Sequence, residues 1–350
     1  MAEKLGVMSS QPNPVRVGVI GFGQWGPNHV RNFSSMDGVE VVRVCDASDS
    51  RLKAAQKFLR GVAVTTNAAD ITQAADIDAV IVATPTSTHH ALVKAALEAG
   101  KDVLCEKPLA QTAAQCRELA DLASKHGRIL MVGHVFLYNS GVLHLKTDLD
   151  RGELGRVYYM DAVRTNLGPV RKDVGAIYDL ASHDISIFNH LLGAQPVEVS
   201  ATGQSVLLSG IEDVGFLTLY YPGNVVCHAH TSWLNPRKVR QLTIVGDQKM
   251  ALWDDMNNLE PIRYYDKGVT ADHYTSFGEF QMILRDGQIT IPKVKMSEPL
   301  QRQDADFIAS IRSRRPPVSD ARCGLAVVLV MEAAMESLKN HGRAAKVTPL

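Results

Sequence analysis

Val15-Arg16-Val17-Gly18-Val19-Ile20-Gly21-Phe22-Gly23-Gln24-Trp25-Gly26-Pro27 decides the fold. Its β-branched opening predicts a strand, which runs directly into Gly-x-Gly-x-x-Gly and then a proline suited to the first turn of a helix. In a dinucleotide-binding turn Gly21 permits the tight bend, Gly23 lets the backbone approach a pyrophosphate, and Gly26 lets helix pack on strand. The free N–H groups at the helix start point at the phosphates. Val39-Glu40-Val41-Val42-Arg43-Val44 predicts the next strand and completes a β-α-β unit. Asp46 stands at its end, twenty residues past Gly26, where a carboxylate accepts the ribose hydroxyls. That acid repels a 2′-phosphate, so NAD is expected over NADP; Ser48 and Arg51 follow closely enough to hold a phosphate were Asp46 turned away.

The rhythm then repeats: helix near Ser48–Leu59, strand Ala79–Ala83, helix Thr88–Ala99, strand Val103–Cys105, helix Thr112–His126 and strand Ile129–Val132. Strands alternating with helices imply an α/β domain on a doubly wound parallel sheet, a Rossmann arrangement, over residues 15–135. Residues 1–14 read as a disordered lead-in with no apolar core of signal-peptide length. After His134 two helical stretches, Gly141–Arg151 and Ile177–Leu192, precede strand-like runs at Val197–Ala201, Gly215–Tyr220, Val225–Trp233, Gln241–Val245, Met250–Trp253 and Ile262–Tyr265. Tyr221-Pro222-Gly223-Asn224 reads as a hairpin turn between two of them. Residues 136–350 are therefore expected to form an α+β domain on a large, mostly antiparallel sheet, closed by the apolar helix Gly324–Leu338 after the breaker Arg314-Arg315-Pro316-Pro317.

Composition narrows the partners. Lys+Arg and Asp+Glu balance at 37 each, so no charged block draws the chain to nucleic acid or a membrane surface. The five cysteines are widely spaced and form no Cys-x-x-Cys pair, which argues against a disulfide framework or a zinc site, and a reducing cytoplasm fits. No metal is expected.

A reaction centre is suggested by three further residues. Glu106-Lys107-Pro108 ends the apolar run Asp102-Val103-Leu104-Cys105, and a lysine at the carboxyl end of a parallel strand lies where open α/β sheets bind ligands. Downstream stands Asp179-x-x-x-His183, one helical turn apart. Oxidising a carbinol needs a base, a positive group on the oxygen and a hydride acceptor. His183 is the natural base, Lys107 supplies charge to a developing alkoxide, and Asp179 shares the face of His183. Asp184 and His190 are set aside, since Asp184 faces away from Asp179 and His190 is read as packing on the sheet.

With the glycine loop, these segments resemble the glucose-fructose oxidoreductase / inositol dehydrogenase family, over nearly the whole chain. The resemblance implies an NAD-dependent sugar dehydrogenase with Lys107, Asp179 and His183 as its catalytic residues, and a loop at Thr84 and Pro85 passing beside the nicotinamide ribose. The cofactor set is then Gly21, Gly23, Gln24, Trp25, Gly26, Asp46, Thr84, Pro85, His89, Glu106 and Lys107. Arginine forks match carboxylate and phosphate, and the Arg164–Arg171 stretch reads as a hydrogen-bonding loop. That loop, with the segments around Tyr138 and Trp233, is similar to the branch acting on nucleotide-linked sugars. The implied substrate-binding set is Lys107, Tyr138, Asn139, Arg164, Asn166, Arg171, Asp179 and His183. The leading expectation is oxidation of a secondary hydroxyl of a nucleotide sugar, or the reverse reduction. Oxidation of a free polyol such as an inositol, or of a free sugar, and a non-catalytic NAD-binding regulator are the rivals. A leftover sheet face carrying Val225, Cys227, Ala229, Thr231 and Trp233 is expected to join subunits into a homodimer or homotetramer.

Overall fold

The computed structural model describes residues 13–171, 174–271 and 282–350. The expected lead-in lies almost wholly outside them. The described chain forms two compact units, one of residues 1–109, 118–133 and 303–320, the other of 110–117, 134–302 and 321–350. Both thus differ from a single division near residue 135, because the chain re-enters the first unit at residue 303.

The elements of the nucleotide half are β1 (Val15–Ile20), α1 (Gly26–Ser34), β2 (Val39–Cys45), α2 (Asp49–Phe58), β3 (Ala63–Thr65), α3 (Ala69–Thr72), β4 (Ala79–Val82), α4 (Thr86–Glu98), β5 (Asp102–Glu106), α5 (Ala113–Lys125) and β6 (Leu130–Gly133). The six strands are all parallel in the order β3-β2-β1-β4-β5-β6. The order reverses between β1 and β4, and a crevice at such a reversal is where doubly wound sheets hold dinucleotides. With both faces covered, the central strands are apolar throughout: Val17, Val19, Val80, Ile81, Val103 and Met131 are fully buried. Residues 303–320 complete this unit: Phe307 meets Phe33 edge to face at 6.5 Å, and Ser319 exchanges hydrogen bonds with Val132. The short β3 and α3 carry too little periodicity to be read from sequence.

The remaining elements are α6 (Ser140–Asp150), β7 (Val157–Leu167), α7 (Ser182–Leu192), β8 (Glu198–Gln204), β9 (Val214–Tyr221), β10 (Val225–Ser232), β11 (Leu234–Gly246), β12 (Met250–Asp254), β13 (Ile262–Ala271), β14 (Met282–Thr290), α8 (Pro299–Ser313), α9 (Ala321–Lys339) and β15 (Ala345–Lys346). Nine strands form one sheet in the order β14-β13-β12-β11-β7-β10-β9-β8-β15, antiparallel except for β10 beside β7. The hairpin joining β9 to β10 turns at Gly223 and Asn224, both at positive φ. One sheet face carries Leu217, Leu219, Cys227, Ala229, Thr231, Leu242 and Ile244, all buried, on the side where α7 and α9 lie. This corrects the expected subunit face: Cys227, Ala229, Thr231 and Trp233 are at most 2 % exposed within the chain itself. The open face shows the intervening residues, among them Tyr159, Phe216, Tyr220, His228 and His230.

Candidate active site

The glycine loop between β1 and α1 is built as its spacing requires. Gly21 has φ +99°, and a Cβ there would lie 2.3 Å from the Ala83 carbonyl; one on Gly26 would lie 2.0 Å from the Gly21 carbonyl. At Gly23 an added Cβ would meet only the Arg51 guanidinium, 3.8 Å away, so the loop backbone faces open space where a dinucleotide turn approaches its pyrophosphate. Asp46, 6 % exposed, accepts from the Phe22 N–H at 2.7 Å and the Ser48 N–H at 2.9 Å, which seats its carboxylate beneath the loop. Arg51 reaches it at 3.6 Å. Gln24 and Trp25 stand exposed on the loop, and Thr84 and Pro85 follow β4 at the same end of the sheet. These residues suit a dinucleotide with a free ribose diol.

His89 is different. It is 1 % exposed, and its ring nitrogens lie 2.8 Å from the Pro108 carbonyl and 2.9 Å from the Thr84 carbonyl. Both nitrogens are taken up inside the unit, so the expected direct contact with cofactor is replaced by a strut between two loops. Glu106 ends β5, and its carboxylate meets the buried His29 of α1 at 3.0 Å and the Lys107 N–H at 3.3 Å. Gly133 leaves room for it, since a Cβ there would sit 3.0 Å from Glu106 Oε2. Lys107 itself is half-buried.

In the second unit Asp179 and His183 do not share a regular α-helix. Ile177–Ala181 is a π turn that passes into α7, so Asp179 lies in the π turn and His183 in the first turn of the helix. Such single π turns recur at functional sites. Its start is tied to a segment far along the chain: the Ala176 N–H donates to the Glu212 carbonyl at 2.7 Å, and the Glu212 side chain is buried beside it. Burial pushes the Glu212 carboxyl above its usual range, ahead of backbone amides that draw it down. Gly175 is required beside it, because a Cβ would fall 2.0 Å from Glu212 Oε1. Nothing local to Asp179 announces Glu212, so the sequence reading missed it.

Three expected substrate contacts are corrected. Arg164 lies within β7, not in a loop, is 4 % exposed, and forms a multiple ion pair with Asp184 at 2.7–3.0 Å. Its guanidinium stacks 4.3 Å above the Phe136 ring, which also meets His183 edge to face at 4.9 Å. It therefore braces the neighbour of His183, and Asp184 is its counter-ion. Asn139 is buried, capping α6 through the Gly141 N–H at 2.8 Å and donating to Asp255 at 2.8 Å. Tyr138, 4 % exposed, belongs to the same inward-facing segment. The Asn166 amide donates to the Gly168 carbonyl. Arg171 remains exposed and donates to Asp179 at 3.0 Å.

Residues 15–134 match the model of an oxidoreductase family with an NAD-binding Rossmann fold, and residues 142–252 match the C-terminal domain model of the same family. The chain belongs to the Gfo/Idh/MocA family. Its first unit is accordingly an NAD-binding Rossmann domain. Among relatives of the Gfo/Idh/MocA chain is an inositol 2-dehydrogenase of Saccharopolyspora erythraea, 34% identical over 214 residues, covering 59% of this chain and 62% of that protein. An inositol 2-dehydrogenase/D-chiro-inositol 3-dehydrogenase of Shouchella clausii is 37% identical over 183 residues, covering 51% and 53%. The alignments thus span less than two thirds of these relatives. A solved UDP-N-acetylglucosamine 3-dehydrogenase from Acidithiobacillus ferrooxidans shares the fold, with a TM-score of 0.80 at 24% identity over 94% of this chain and 98% of that one. Among the described residues, no helix is long and apolar enough to cross a membrane.

Proposed function

We propose that this Gfo/Idh/MocA chain is an NAD-dependent dehydrogenase that oxidises a secondary hydroxyl of a free polyol or sugar, or runs the reverse reduction. The observation that carries the substrate class is the ion pair of Arg164 with Asp184, which removes one of the two arginines expected to grip an anionic substrate. The inositol dehydrogenases among its relatives support the same reading. Bound NAD would supply the hydride acceptor. His183 takes the hydroxyl proton, Lys107 stabilises the developing alkoxide, and Asp179, held by Arg171, orients the hydroxyl group. The Asp46 carboxylate favours NAD over NADP.

A nucleotide-linked sugar is the second reading, favoured by Arg171, whose guanidinium is 42% exposed and could turn toward a phosphate. Purified protein with NAD, offered a free inositol and a UDP-sugar in parallel while NADH absorbance is followed, separates the two. Turnover of the free polyol alone is expected. Turnover of the UDP-sugar alone would reverse the order, and turnover of neither across a panel of both classes would remove the dehydrogenase reading. We also propose that the open sheet face around Phe216 and Tyr220 joins two copies; a monomer by light scattering at micromolar concentration would contradict this.

A further inference from the structure

We infer that two buried histidines, His29 and His89, are positioning residues that hold the Glu106-Lys107-Pro108 turn from its two ends, and that His29 does so as an imidazolium. His29 is fully buried on α1, with Nε2 3.0 Å from Glu106 Oε1 and Nδ1 3.0 Å from Asp304 Oδ1. Ionised carboxylates only accept hydrogen bonds, so a ring placed between two of them must carry a proton on each nitrogen. Asp304 is itself fully buried, with its second oxygen held by the Asn32 amide at 2.9 Å. Burial alone would push the imidazole down, and the charges and hydrogen bonds of Asp304 and Glu106 outweigh it, raising its pKa to about 10.

On the other side of Lys107, the His89 ring of α4 is wedged between the Pro108 carbonyl at 2.8 Å and the Thr84 carbonyl at 2.9 Å and donates to at least one of them. The residues before and after Lys107 are thus anchored to the two helices that follow the glycine loop and the Thr84-Pro85 loop. A lysine between two fixed neighbours retains little backbone freedom, which is what aiming its ammonium requires. The catalytic consequence rests on the dehydrogenase reading; the protonation state and the anchoring do not.

The test has three arms on the full chain. With ¹⁵N-histidine labelling, and His29 assigned by loss of its signals in His29→Gln, both ring nitrogens should be protonated at pH 8; a neutral tautomer there overturns the imidazolium. Hydrogen exchange of the peptide spanning residues 104–110 should accelerate at least about tenfold in either His29→Gln or His89→Gln, since a glutamine amide cannot span both contacts of the ring it replaces. Unchanged exchange in both variants overturns the anchoring, whether or not any substrate turns over. If turnover is found, each variant should lose about 10–100-fold in kcat with NADH binding nearly unchanged, and neither should lose more when added to Lys107→Ala. Losses that add fully to that of Lys107→Ala would show the histidines acting elsewhere.

Discussion

The carboxylate of Asp46 and the guanidinium of Arg164 were both expected to meet ligands, and the structure treats them in opposite ways. Asp46 is held by two backbone amides, that of Phe22 in the glycine loop and that of Ser48, and each oxygen keeps a lone pair for a ribose hydroxyl. Arg164 is held by a charge twenty residues away on α7 and is enclosed with it. A parallel sheet places ligand loops at its strand ends, so the backbone amides of those loops hold such a residue without using up its ligand-binding atoms. A strand inside a broad antiparallel sheet sends alternate residues into the core, where only a charged partner on another element decides whether a charge is tolerable.

The sharpest test of the first region is Lys107→Ala, expected to lower kcat by about two to four orders of magnitude while NADH binding stays close to wild type. Normal turnover would take Lys107 out of the chemistry. For the second region, Arg164→Met should destabilise the fold by about 3–5 kcal/mol, because it strands Asp184 as an unpaired buried charge. Restoration by adding Asp184→Leu, measured by denaturant unfolding, would fix the role as structural. Were Arg164 a ligand contact, Arg164→Met would raise KM and leave stability alone.

Asp46→Ala should weaken NADH binding about 10–100-fold and narrow the gap to NADPH, as loss of charge-assisted hydrogen bonds implies. Tighter NADPH than NADH binding by the wild type would assign Arg51 the dominant role instead. A further test of the first region is pH-dependent stability. His29 has a folded pKa raised to about 10 against an unfolded value of 6.5, so its contribution is complete below 6.5 and is lost as pH rises toward 10. The wild-type Tm should therefore decline between pH 7 and 10 more steeply than that of His29→Gln. Parallel declines would mean that His29 is neutral in the folded chain.

The histidines around Lys107 mark where reading along the chain stopped. Glu106-Lys107-Pro108 stands out in the sequence as a candidate reaction centre, but His29 precedes Glu106 by 77 residues and Asp304 follows His29 by 275, so their meeting has no local trace. His89 was placed at a helix start, where the structure has it, and assigned the wrong neighbour because its burial was not visible.

Sequence alone determined the α/β class, the glycine turn, the acid at its expected spacing and the position of Lys107 at a strand end, because each follows from chirality, backbone sterics or a short repeat acting over a few residues. Tertiary structure alone decided which polar groups are enclosed. It placed Arg164 on Asp184, set Glu212 over the start of the Asp179–His183 segment, returned residues 303–320 to the nucleotide unit, and turned Cys227 and Ala229 inward. The physical reason is that a buried charge or unpaired amide must be matched wherever its partner lies in the chain, and a two-residue alternation does not say which face of a sheet is covered.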